Sequence, residues 1–414
     1  MLNNGKLIPL LFIGFLSMVT AACASVTVQN PVGSPTPEIP AYDVSEATVS
    51  STRSKDVEGC GDPFEGIETS FRQTFWLERT NFCKHSVDLS EIFTGNPVPD
   101  AIPAIDKPVF ESVKDAGEWL GEDWPVMLFE IDGDVRAYPL AILIWHEIVN
   151  DMVAGEPVAV TFCPLCNATI AFRRTLDDGQ VLDFGTSGNL RNSDLVMYDR
   201  QTFSWWQQFT GEAIVGDLTG TMLDILPSQI IAWSDFKASH PDGKVLSRDT
   251  GAVRDYGVNP YAGYDSINSS PFFPVEGEDE RLLPMERVVA IDIEDVTIAY
   301  PFSRLEDVRV VNDEVAGISI IVLWQSGTVS AFGNNGPDTG STGVFSREVE
   351  GQTLTFVAKA DGFEDQETGT RWNLLGHAVT GPLEGTQLER VISGEHFWFS
   401  WAAFKPGTEV RLSL

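Results

Sequence analysis

Residues 129–155 read FEIDGDVRAYPLAILIWHEIVNDMVAG, and residues 291–317 read IDIEDVTIAYPFSRLEDVRVVNDEVAG. The two stretches match at one constant spacing, because Tyr138 corresponds to Tyr300 and 300 − 138 = 162. The triplet Val-Asn-Asp at 149–151 recurs at 311–313 with the same spacing. A sequence that recurs within one chain is the signature of one fold unit present twice.

The repeated pattern resumes further along the chain. TGEAIVGDLTGTML at 210–223 matches LGHAVTGPLEGTQL at 375–388, and Trp233 matches Trp398 at a spacing of 398 − 233 = 165. Positions kept in both copies are expected to be structural, whereas reactive residues found in only one copy are candidates for function. The sequence predicts an α+β, β-rich protein whose internal duplication gives two pseudo-equivalent units.

Composition and the repeat divide the chain into six segments. We expect a signal peptide with a lipobox-like end at 1–23, a disordered tether at 24–58 and a lead-in segment at 59–125. The first repeat unit is expected at 126–246, a connector at 247–284 and a second, degenerate repeat unit at 285–414. The tether prediction rests on a stretch rich in Ser, Thr, Pro and Val that offers few large apolar side chains to bury.

Within the first unit, the local pattern predicts mostly strands. Asp132-Gly133 lies between two apolar runs and is a favourable hairpin turn. Apolar spacing from Leu140 to Val149 predicts a short buried helix, and the spacing from Gln229 to Ser239 predicts another. Residues 184–194 (FGTSGNLRNSD) contain Gly, Ser and Asn and predict a loop.

The charge of the chain excludes some classes of partner. It carries 60 acidic and 27 basic residues, a formal charge of −33. No basic stripe is available to neutralise phosphates, so the composition argues against nucleic-acid binding. It also argues against docking on an anionic membrane face. The acidic residues are dispersed, which indicates a solvated, self-repelling surface rather than an acidic cation-binding patch.

The N-terminal residues have the pattern of an export signal. Lys6 supplies positive charge, Leu7 to Val19 form an apolar run, and small residues precede Cys23. The run is too short for a comfortable transmembrane helix. Small residues before a cysteine resemble a bacterial lipoprotein processing site, so Cys23 is predicted to carry lipid and attach the protein to a membrane. Plain secretion after Ala22 is the alternative, and both place the mature protein outside the cytoplasm.

Cys60 and Cys83 lie before the repeats, apart from the remaining cysteine pair. In an oxidising compartment, two cysteines that close a modest loop are most simply a structural disulfide. The chain-entropy argument gives such a bridge a stabilisation of roughly 3 kcal/mol. We therefore predict a disulfide between these two residues.

The first copy alone contains a CxxC motif, CPLC at 163–166, in a stretch where the second copy has VLWQSGTVSAF. One interpretation is redox chemistry, in which one thiolate attacks a substrate and the other resolves the mixed disulfide. A second is metal binding, because Cys-Pro-x-Cys followed by Asn forms a tight knuckle in which Asn167 is left-handed. A third is a buried structural disulfide. The strand-like ATIAF after Cys166 differs from thioredoxin, where CxxC opens a helix.

His146 belongs to the first copy, and the second copy has Val308 in its place. Its apolar surroundings fit a core histidine that is hydrogen-bonded to the backbone. The loss of this histidine together with both cysteines in the second copy instead favours a role beside Cys163 and Cys166. That role would be to take a thiol proton or to bind metal.

Several of these stretches together resemble a family of bacterial and archaeal proteins called domain of unknown function 3179. The resemblance is carried by RAYPLAILIWHEIVND, VAVTFCPLCNATIAF, GTSGNL and SDLVMYDRQTFSWW, and it runs from about residue 85 into the second copy. The family has no settled activity. Some members resemble selenoproteins, with selenocysteine in place of a cysteine of this motif, which implies redox chemistry.

These observations lead to one prediction and two alternatives. The prediction is an exported thiol-based redox protein in which Cys163 and Cys166 react with an oxidised sulfur or a peroxide, and His146 assists proton transfer. It requires no cofactor and leaves the redox partner protein unidentified. The first alternative is a Cu(I)- or Zn-binding protein that uses the same three residues. The second is a non-enzymatic surface binding module in which CPLC is only a structural staple.

Overall fold

The computed structural model describes residues 60–67, 69, 71, 74–331 and 336–413. They fall within one unit of the chain, Arg53–Leu414. The predicted signal peptide, the lipidation of Cys23 and the tether at 24–58 lie outside the described residues. Within the described part, no helix has the length and apolar character needed to cross a membrane.

A lead-in of short elements precedes the repeated part of the chain. It consists of α1 (Thr74–Leu77), a 3-10 helix (Leu89–Glu91), β1 (Ile92–Thr94), β2 (Phe110–Ser112) and α2 (Val113–Ala116). The predicted disulfide between Cys60 and Cys83 is present, with the two Cα atoms 5.9 Å apart. Buried aromatic rings of the lead-in, among them Phe71 and Phe82, pack against Trp205 of the first half. The bridge and this aromatic packing hold the lead-in together.

The first half contains twelve strands and two helices between residues 125 and 246. They are β3 (Pro125–Ile131), β4 (Asp134–Pro139), α3 (Leu140–His146), β5 (Ile148–Val153), β6 (Glu156–Cys163), β7 (Ala168–Arg173), β8 (Phe184–Arg191), β9 (Asp194–Asp199), β10 (Trp205–Gln207), β11 (Ala213–Val215), β12 (Ile225–Leu226), β13 (Ser228–Ala232), α4 (Trp233–Ser239) and β14 (Lys244–Leu246).

The second half begins after a connector without regular elements. Its elements are β15 (Arg287–Ile293), β16 (Val296–Pro301), α5 (Phe302–Val308), β17 (Val310–Val315), β18 (Ile318–Gln325), β19 (Ser341–Ser346), β20 (Glu348–Val349), β21 (Gln352–Thr353), β22 (Phe356–Lys359), β23 (Gly362–Asp365), β24 (Arg371–Trp372), β25 (Ala378–Thr380), β26 (Ser393–Phe397), α6 (Trp398–Phe404) and β27 (Glu409–Val410).

The two halves share one strand order. Strands β13, β3, β4 and β14 are neighbours in that order, as are β26, β15, β16 and β27. Among these four strands, β14 is parallel to β4 and β27 is parallel to β16, and the other pairs are antiparallel. Two further sheets also correspond: β5-β6-β7 with β17-β18-β19, and β8-β9-β10-β11 with β22-β23-β24-β25. The predicted β-rich α+β class is confirmed, and its origin by duplication stays a prediction.

Tyrosine and aspartate residues kept in both halves make the same hydrogen bond. Tyr138 Oη donates to Asp151 Oδ2 at 2.6 Å, and Tyr300 Oη donates to Asp313 Oδ2 at 2.7 Å. Each bond joins two sheets of its half: β4 to β5 in the first half, and β16 to β17 in the second. These positions are therefore structural, as the comparison of the two copies predicts.

The asparagine of the recurring Val-Asn-Asp triplet is structural for a similar reason. Asn150 exchanges two hydrogen bonds with the backbone of Phe184, at 2.8 and 2.9 Å. Asn312 makes the same pair of bonds with the backbone of Phe356, at 2.9 and 2.8 Å. Each side chain satisfies a backbone N–H and a C=O at the start of a strand in the third sheet of its half.

The halves differ at the position of the CPLC motif. In the first, Cys163 at the end of β6 pairs with Ala168 at the start of β7. In the second, Gln325 at the end of β18 pairs with Ser341, so residues 326–340 connect the two strands. The similar sequences NATIAF and SGTVSAF are therefore not equivalent in the structure. NATIAF leads into β7, the strand that pairs with β6, whereas SGTVSAF precedes β19, the strand that pairs with β18.

Two of the local predictions are wrong. The stretch from Gln229 to Ser239 is not one helix, since β13 ends at Ala232 and α4 begins at Trp233. Pairing with β3 overrides the helical spacing of its first residues. Residues 184–194, predicted as a loop, form β8 and a tight turn into β9. This Gly-containing strand has two partners, β1 and β9, which supply the hydrogen bonds that its composition does not predict.

Other local predictions are confirmed. Asp132 (φ 48°) and Gly133 (φ 80°) form the hairpin turn between β3 and β4, because both central residues of this turn type need positive φ. The helix predicted from Leu140 to Val149 is present but ends at His146, and Ile148 and Val149 belong to β5 instead. The largest buried cluster includes residues from both halves, among them Phe162 and Trp398, and it contains both cysteines of CPLC.

Candidate functional site

The CPLC segment forms a tight connection between two paired strands. β6 ends at Cys163, Pro164–Cys166 form a 3-10 turn, and β7 begins at Ala168. Proline suits the first position of this turn because it has no N–H that needs a partner. Asn167 ends the turn in the left-handed conformation, with φ 52°, as the sequence predicts. Its N–H donates to the carbonyl oxygen of Pro164 at 3.2 Å.

Two sulfurs and one carboxylate form a compact buried cluster. The Sγ atoms of Cys163 and Cys166 and a carboxylate oxygen of Asp194 all lie within 4.8 Å of one another. None of the three residues is more than 2% exposed. Both cysteines are free thiols, whereas Cys60 and Cys83 in the same structure are bridged. The arrangement therefore fits a set of metal ligands or a reactive dithiol better than a structural disulfide between Cys163 and Cys166.

Asp194 was not among the residues predicted from the sequence. It is the first residue of β9 and follows a tight turn. Its Oδ2 accepts hydrogen bonds from Gln207 Nε2 at 2.6 Å and from the N–H of Phe209 at 3.0 Å. Its Oδ1 accepts none from a nitrogen or oxygen donor in the described part of the chain. Burial raises the pKa of Asp194 to about 7, although contacts with Gln207 and with the two thiols lower it in part.

A second buried carboxyl group, that of Glu147, lies near the cluster. Glu147 ends helix α3 in the left-handed conformation, with φ 60°, and its N–H donates to the carbonyl oxygen of Leu143 at 2.7 Å. Burial, and then the neighbouring Asp194, raises the pKa of Glu147 to about 8. The same carboxyl group contributes to the raised pKa of Cys163. Two thiols and two carboxyl groups are thus buried together, away from solvent.

Burial is also the main cause of the raised pKa of both thiols. The pKa of Cys163 is raised to about 11, although a hydrogen bond with Cys166 and one from the Leu195 backbone lower it in part. The pKa of Cys166 lies well above its ordinary value because of burial and, after that, of Cys163. Within the described residues, no Lys, Arg or His is among the main causes of the pKa shift of any of these four acids. At neutral pH both thiols and Glu147 are therefore mainly protonated unless a bound cation replaces their protons, whereas Asp194 is about half ionised.

The connector and the second half cover the cluster. Tyr264 Oη donates to the carbonyl oxygen of Leu165, inside the CPLC turn, at 2.9 Å. Burial, and then the charges of Glu147 and Cys163, raises the pKa of Tyr261, which places this side chain beside them. From α6, Ser400 Oγ donates to the carbonyl oxygen of Cys166 at 3.4 Å. The site is enclosed by three parts of the chain.

The structure does not bring His146 to the cysteines as predicted. Its Nδ1 lies 2.7 Å from the carbonyl oxygen of Pro103, and its Nε2 lies 2.6 Å from Tyr256 Oη. Burial lowers the pKa of His146, so the ring is neutral at pH 7. In the described structure it joins no metal-capable group. The next residue, Glu147, approaches the cysteines instead, because the helix ends there in a left-handed turn.

The corresponding positions of the second half lack these acids. Arg309 ends α5 with φ 63° and corresponds to Glu147, since 309 − 147 = 162. Gln325 ends β18 where Cys163 ends β6. His146 was predicted because the second copy has a different residue, Val308, at that position. The same is true of Glu147, which Arg309 replaces, so the sequence also marked Glu147. Asp194 lies outside the matched stretches, and only the packing of β9 against the CPLC turn reveals it.

The family described as "Protein of unknown function (DUF3179)" matches residues 99–408. This chain belongs to that family. The DUF3179 match includes both halves and all four clustered acids, and its description names no activity. No curated protein and no solved structure matches the chain. The chemistry of the cluster is therefore the basis for a function of this DUF3179 protein.

Proposed function

We propose that this protein is an exported metal-binding protein whose buried centre takes a thiophilic divalent cation, with zinc as the best match. Cys163, Cys166 and Asp194 would supply the ligand atoms. The observation that supports this most is the group of four buried acids, whose main electrostatic neighbours among the described residues include no Lys, Arg or His. A divalent cation would replace the thiol protons and remove the electrostatic penalty of ionising these groups in a dry core.

The donor atoms favour zinc over copper(I). Soft thiolates suit both metals, but a carboxylate is a harder ligand that Zn²⁺ accepts and Cu(I) does not favour. Two thiolates and one carboxylate carry three negative charges, which a divalent ion balances better than a monovalent one. Three protein ligands leave a fourth position of a tetrahedral site, and Glu147 is a further buried carboxyl group that interacts with Asp194 and Cys163.

The test uses the full-length protein, purified in detergent from cells supplied with zinc. We expect one zinc ion per chain by elemental analysis. Loading with Co²⁺ should give near-ultraviolet absorption from thiolate-to-metal charge transfer. Replacement of a partner outside the ligand set typically weakens metal binding roughly 10- to 100-fold. Cys163→Ser and Asp194→Asn should therefore each weaken zinc binding by about 100-fold or more.

Gln325→Ala is the matched control, because this residue ends the corresponding strand of the second half. It should leave zinc affinity and the cobalt spectrum unchanged. Purified protein that contains no zinc, or that loses its zinc to a weak chelator, would contradict the proposal. So would unchanged zinc affinity in both Cys163→Ser and Asp194→Asn.

Thiol–disulfide exchange is the second candidate, and one observation favours it. Asp194 has a pKa of about 7 and lies beside both sulfurs, which suits a group that accepts a thiol proton near neutral pH. In this reaction two thiols become a disulfide and a substrate disulfide becomes two thiols, so two electrons and two protons pass to the substrate. The raised pKa of both thiols and their burial count against it.

Redox titration of the metal-free protein tests this second candidate. A working pair should titrate at roughly −270 to −120 mV, whereas a structural bridge lies below about −300 mV. The Cys60–Cys83 disulfide is the internal control and should resist the same mild reductant. A Cys163–Cys166 pair as difficult to reduce as this control would rule out exchange chemistry.

Export and lipid attachment belong to the same proposal. They are supported by the N-terminal Lys6, the apolar run and the small residues before Cys23. Mass spectrometry of protein from a bacterial membrane fraction should find Cys23 as a lipid-modified first residue. An unmodified N-terminus at that cysteine, or cleavage elsewhere, would contradict attachment.

A further inference from the structure

We propose that a cleft between the two halves binds an uncharged aromatic molecule that carries a hydroxyl group. The cleft has a volume of about 630 Å³, which is within the range of about 300–1,000 Å³ typical of small-molecule sites. None of the four acids of the buried cluster lines it. It is therefore a second site, separate from the proposed metal centre.

The walls of the cleft are mainly apolar and come from both halves. Ile170 and Leu223 lie on the first-half side, and Ala290 and Trp401 lie on the second-half side. Phe209 also lines the cleft, and its ring is 6.0 Å from that of Trp401. Rings at such distances offer flat, polarisable surfaces against which an aromatic ligand can pack edge-to-face or offset.

The charged side chains of the cleft are already paired. Arg173 lies 3.3 Å from Asp224, and Lys405 lies 2.6 Å from Asp292. Each positive charge is thus matched by a carboxylate that also lines the cleft. An anionic ligand would have to displace such a carboxylate and would be repelled by a chain of formal charge −33. The balance of charge favours an uncharged ligand.

His396 supplies the polar contact that defines the ligand. It lines the cleft, is only 3% exposed, and its Nδ1 has no hydrogen-bond partner among the described residues. Burial lowers the pKa of His396 to about 3, so at neutral pH the ring is uncharged and one nitrogen can accept a hydrogen bond. The neutral imidazole of His396 is therefore the hydrogen-bond acceptor that this part of the cleft offers to a ligand hydroxyl.

The position of this histidine is held by packing. Its ring stacks on Trp401 at 5.3 Å with an interplanar angle of 25°, and it lies 4.7 Å from the ring of Phe209. Gly394 lies beneath it, and a Cβ atom there would be 2.3 Å from Nε2 of the histidine. A glycine is therefore needed at this point for the imidazole to occupy its place.

Binding of three related probes to the full-length protein tests the inference. β-Naphthol has the ring and the hydroxyl, naphthalene lacks the hydroxyl, and β-naphthoate is anionic. By calorimetry or ligand-observed NMR, β-naphthol should bind with one site per chain. A single hydrogen bond should make its affinity roughly two- to tenfold higher than that of naphthalene. β-Naphthoate should bind more weakly than either.

His396→Phe keeps the aromatic stack and removes both ring nitrogens. It should abolish the preference for β-naphthol over naphthalene. His377→Phe is the control, because it makes the same change at a partly buried histidine outside the cleft, and it should leave the preference unchanged. Ile392→Trp, at a cleft residue that is 43% exposed, narrows the cleft without a core change and should weaken β-naphthol binding at least about fivefold.

Three results would overturn the inference. The first is no saturable β-naphthol binding, and the second is binding of β-naphthoate that equals or exceeds it. The third is a preference for β-naphthol that persists in His396→Phe. If that variant fails to fold, Ile392→Trp decides, since unchanged affinity in it would show that the probe binds elsewhere.

Discussion

Glu147 illustrates how one backbone conformation decides which side chain enters the core. It follows His146 and ends α3 with φ 60°. Arg309 takes the same conformation at the end of α5, but its Nη1 donates to the carbonyl oxygen of Lys359 at 2.8 Å. The same local geometry therefore places an acid beside the thiols in one half and a base beside the Lys359 carbonyl group in the other.

The raised pKa of Glu147 predicts how stability depends on pH. The folded protein holds this proton up to a pKa of about 8, whereas the unfolded chain releases it near its ordinary value, so stability falls as pH rises through this interval. Buried histidines with lowered pKa values act in the opposite sense only below about pH 6.5. Between about pH 6.5 and 8, the metal-free protein should lose roughly 1–2 kcal/mol through this group.

Urea unfolding of the metal-free protein at the two ends of this pH interval measures the effect. Glu147→Gln should make the decrease distinctly smaller, and Glu306→Gln, on the exposed face of α5, should not. Asp194 and Glu395, each with a pKa raised to about 7, leave a residual decrease in the same direction. If the free energy of unfolding decreased as steeply in Glu147→Gln as in the parent protein, Glu147 would not be the group responsible.

The two copies of the Tyr–Asp pair differ in burial, which gives a second residue-scale prediction. The side chain of Asp151 is 5% exposed and pairs with Arg136 at 2.7 Å, whereas that of Asp313 is 22% exposed and pairs with Arg411 at 2.9 Å. Asp151→Asn should cost about 2–3 kcal/mol, because buried Arg136 keeps only Asp134 as a partner charge and the Tyr138 hydroxyl loses its carboxylate acceptor. Asp313→Asn should cost about 1 kcal/mol or less. Equal losses in urea unfolding would contradict this account.

At the scale of elements, the CPLC turn depends on its last residue. Asn167 has φ 52°, and its side-chain Nδ2 makes no hydrogen bond within the described structure. Glycine adopts this conformation freely, and asparagine tolerates it, whereas a β-branched residue does not. The turn that brings the two sulfurs together therefore needs the backbone freedom of Asn167 more than its side-chain contacts.

Substitutions at Asn167 test this dependence. Asn167→Gly should leave the free energy of unfolding and the zinc stoichiometry close to those of the parent. Asn167→Val should lower stability by about 1–2 kcal/mol and weaken zinc binding, because it strains the turn that holds both ligands. Chemical denaturation and competitive zinc titration measure the two effects. A valine variant that matches the glycine variant in both would show that the turn relaxes without cost.

At the scale of the whole molecule, the connector closes the site. Tyr264 contacts the CPLC turn and is 2% exposed, while Tyr256 of the same connector contacts His146 instead. Access to the thiols therefore requires local opening of the connector. In reduced, metal-free protein, iodoacetamide should label Cys163 and Cys166 slowly at neutral pH.

Tyr264→Ala should increase that labelling rate by roughly tenfold or more, since it removes a side chain that packs over the turn. Tyr256→Ala is the matched control and should change the rate little. Peptide mass spectrometry at a series of labelling times gives both rates. Rapid labelling of the parent protein, or the same increase in both variants, would contradict a cover formed by Tyr264.

Features that depend on neighbours along the chain could be predicted from the sequence. The Asp132-Gly133 turn, the left-handed Asn167 and the short helix from Leu140 follow from the conformational preferences of their own residues. The β-rich class follows from the density of alternating apolar runs. The disulfide between Cys60 and Cys83 follows from their position apart from CPLC in the chain.

Features that depend on distant partners were decided only by the tertiary structure. The segment from Gln229 to Ala232 has helical spacing but is a strand, because pairing with β3 satisfies its backbone and buries its apolar side chains. Asp194 joins the cysteines because β9 packs against the CPLC turn, and no local pattern marks it. His146 and Glu147 are adjacent, and the left-handed residue at the helix end decides that the carboxyl group enters the cluster. Local preferences are set by a few dihedral angles, whereas the cluster depends on which strands pair.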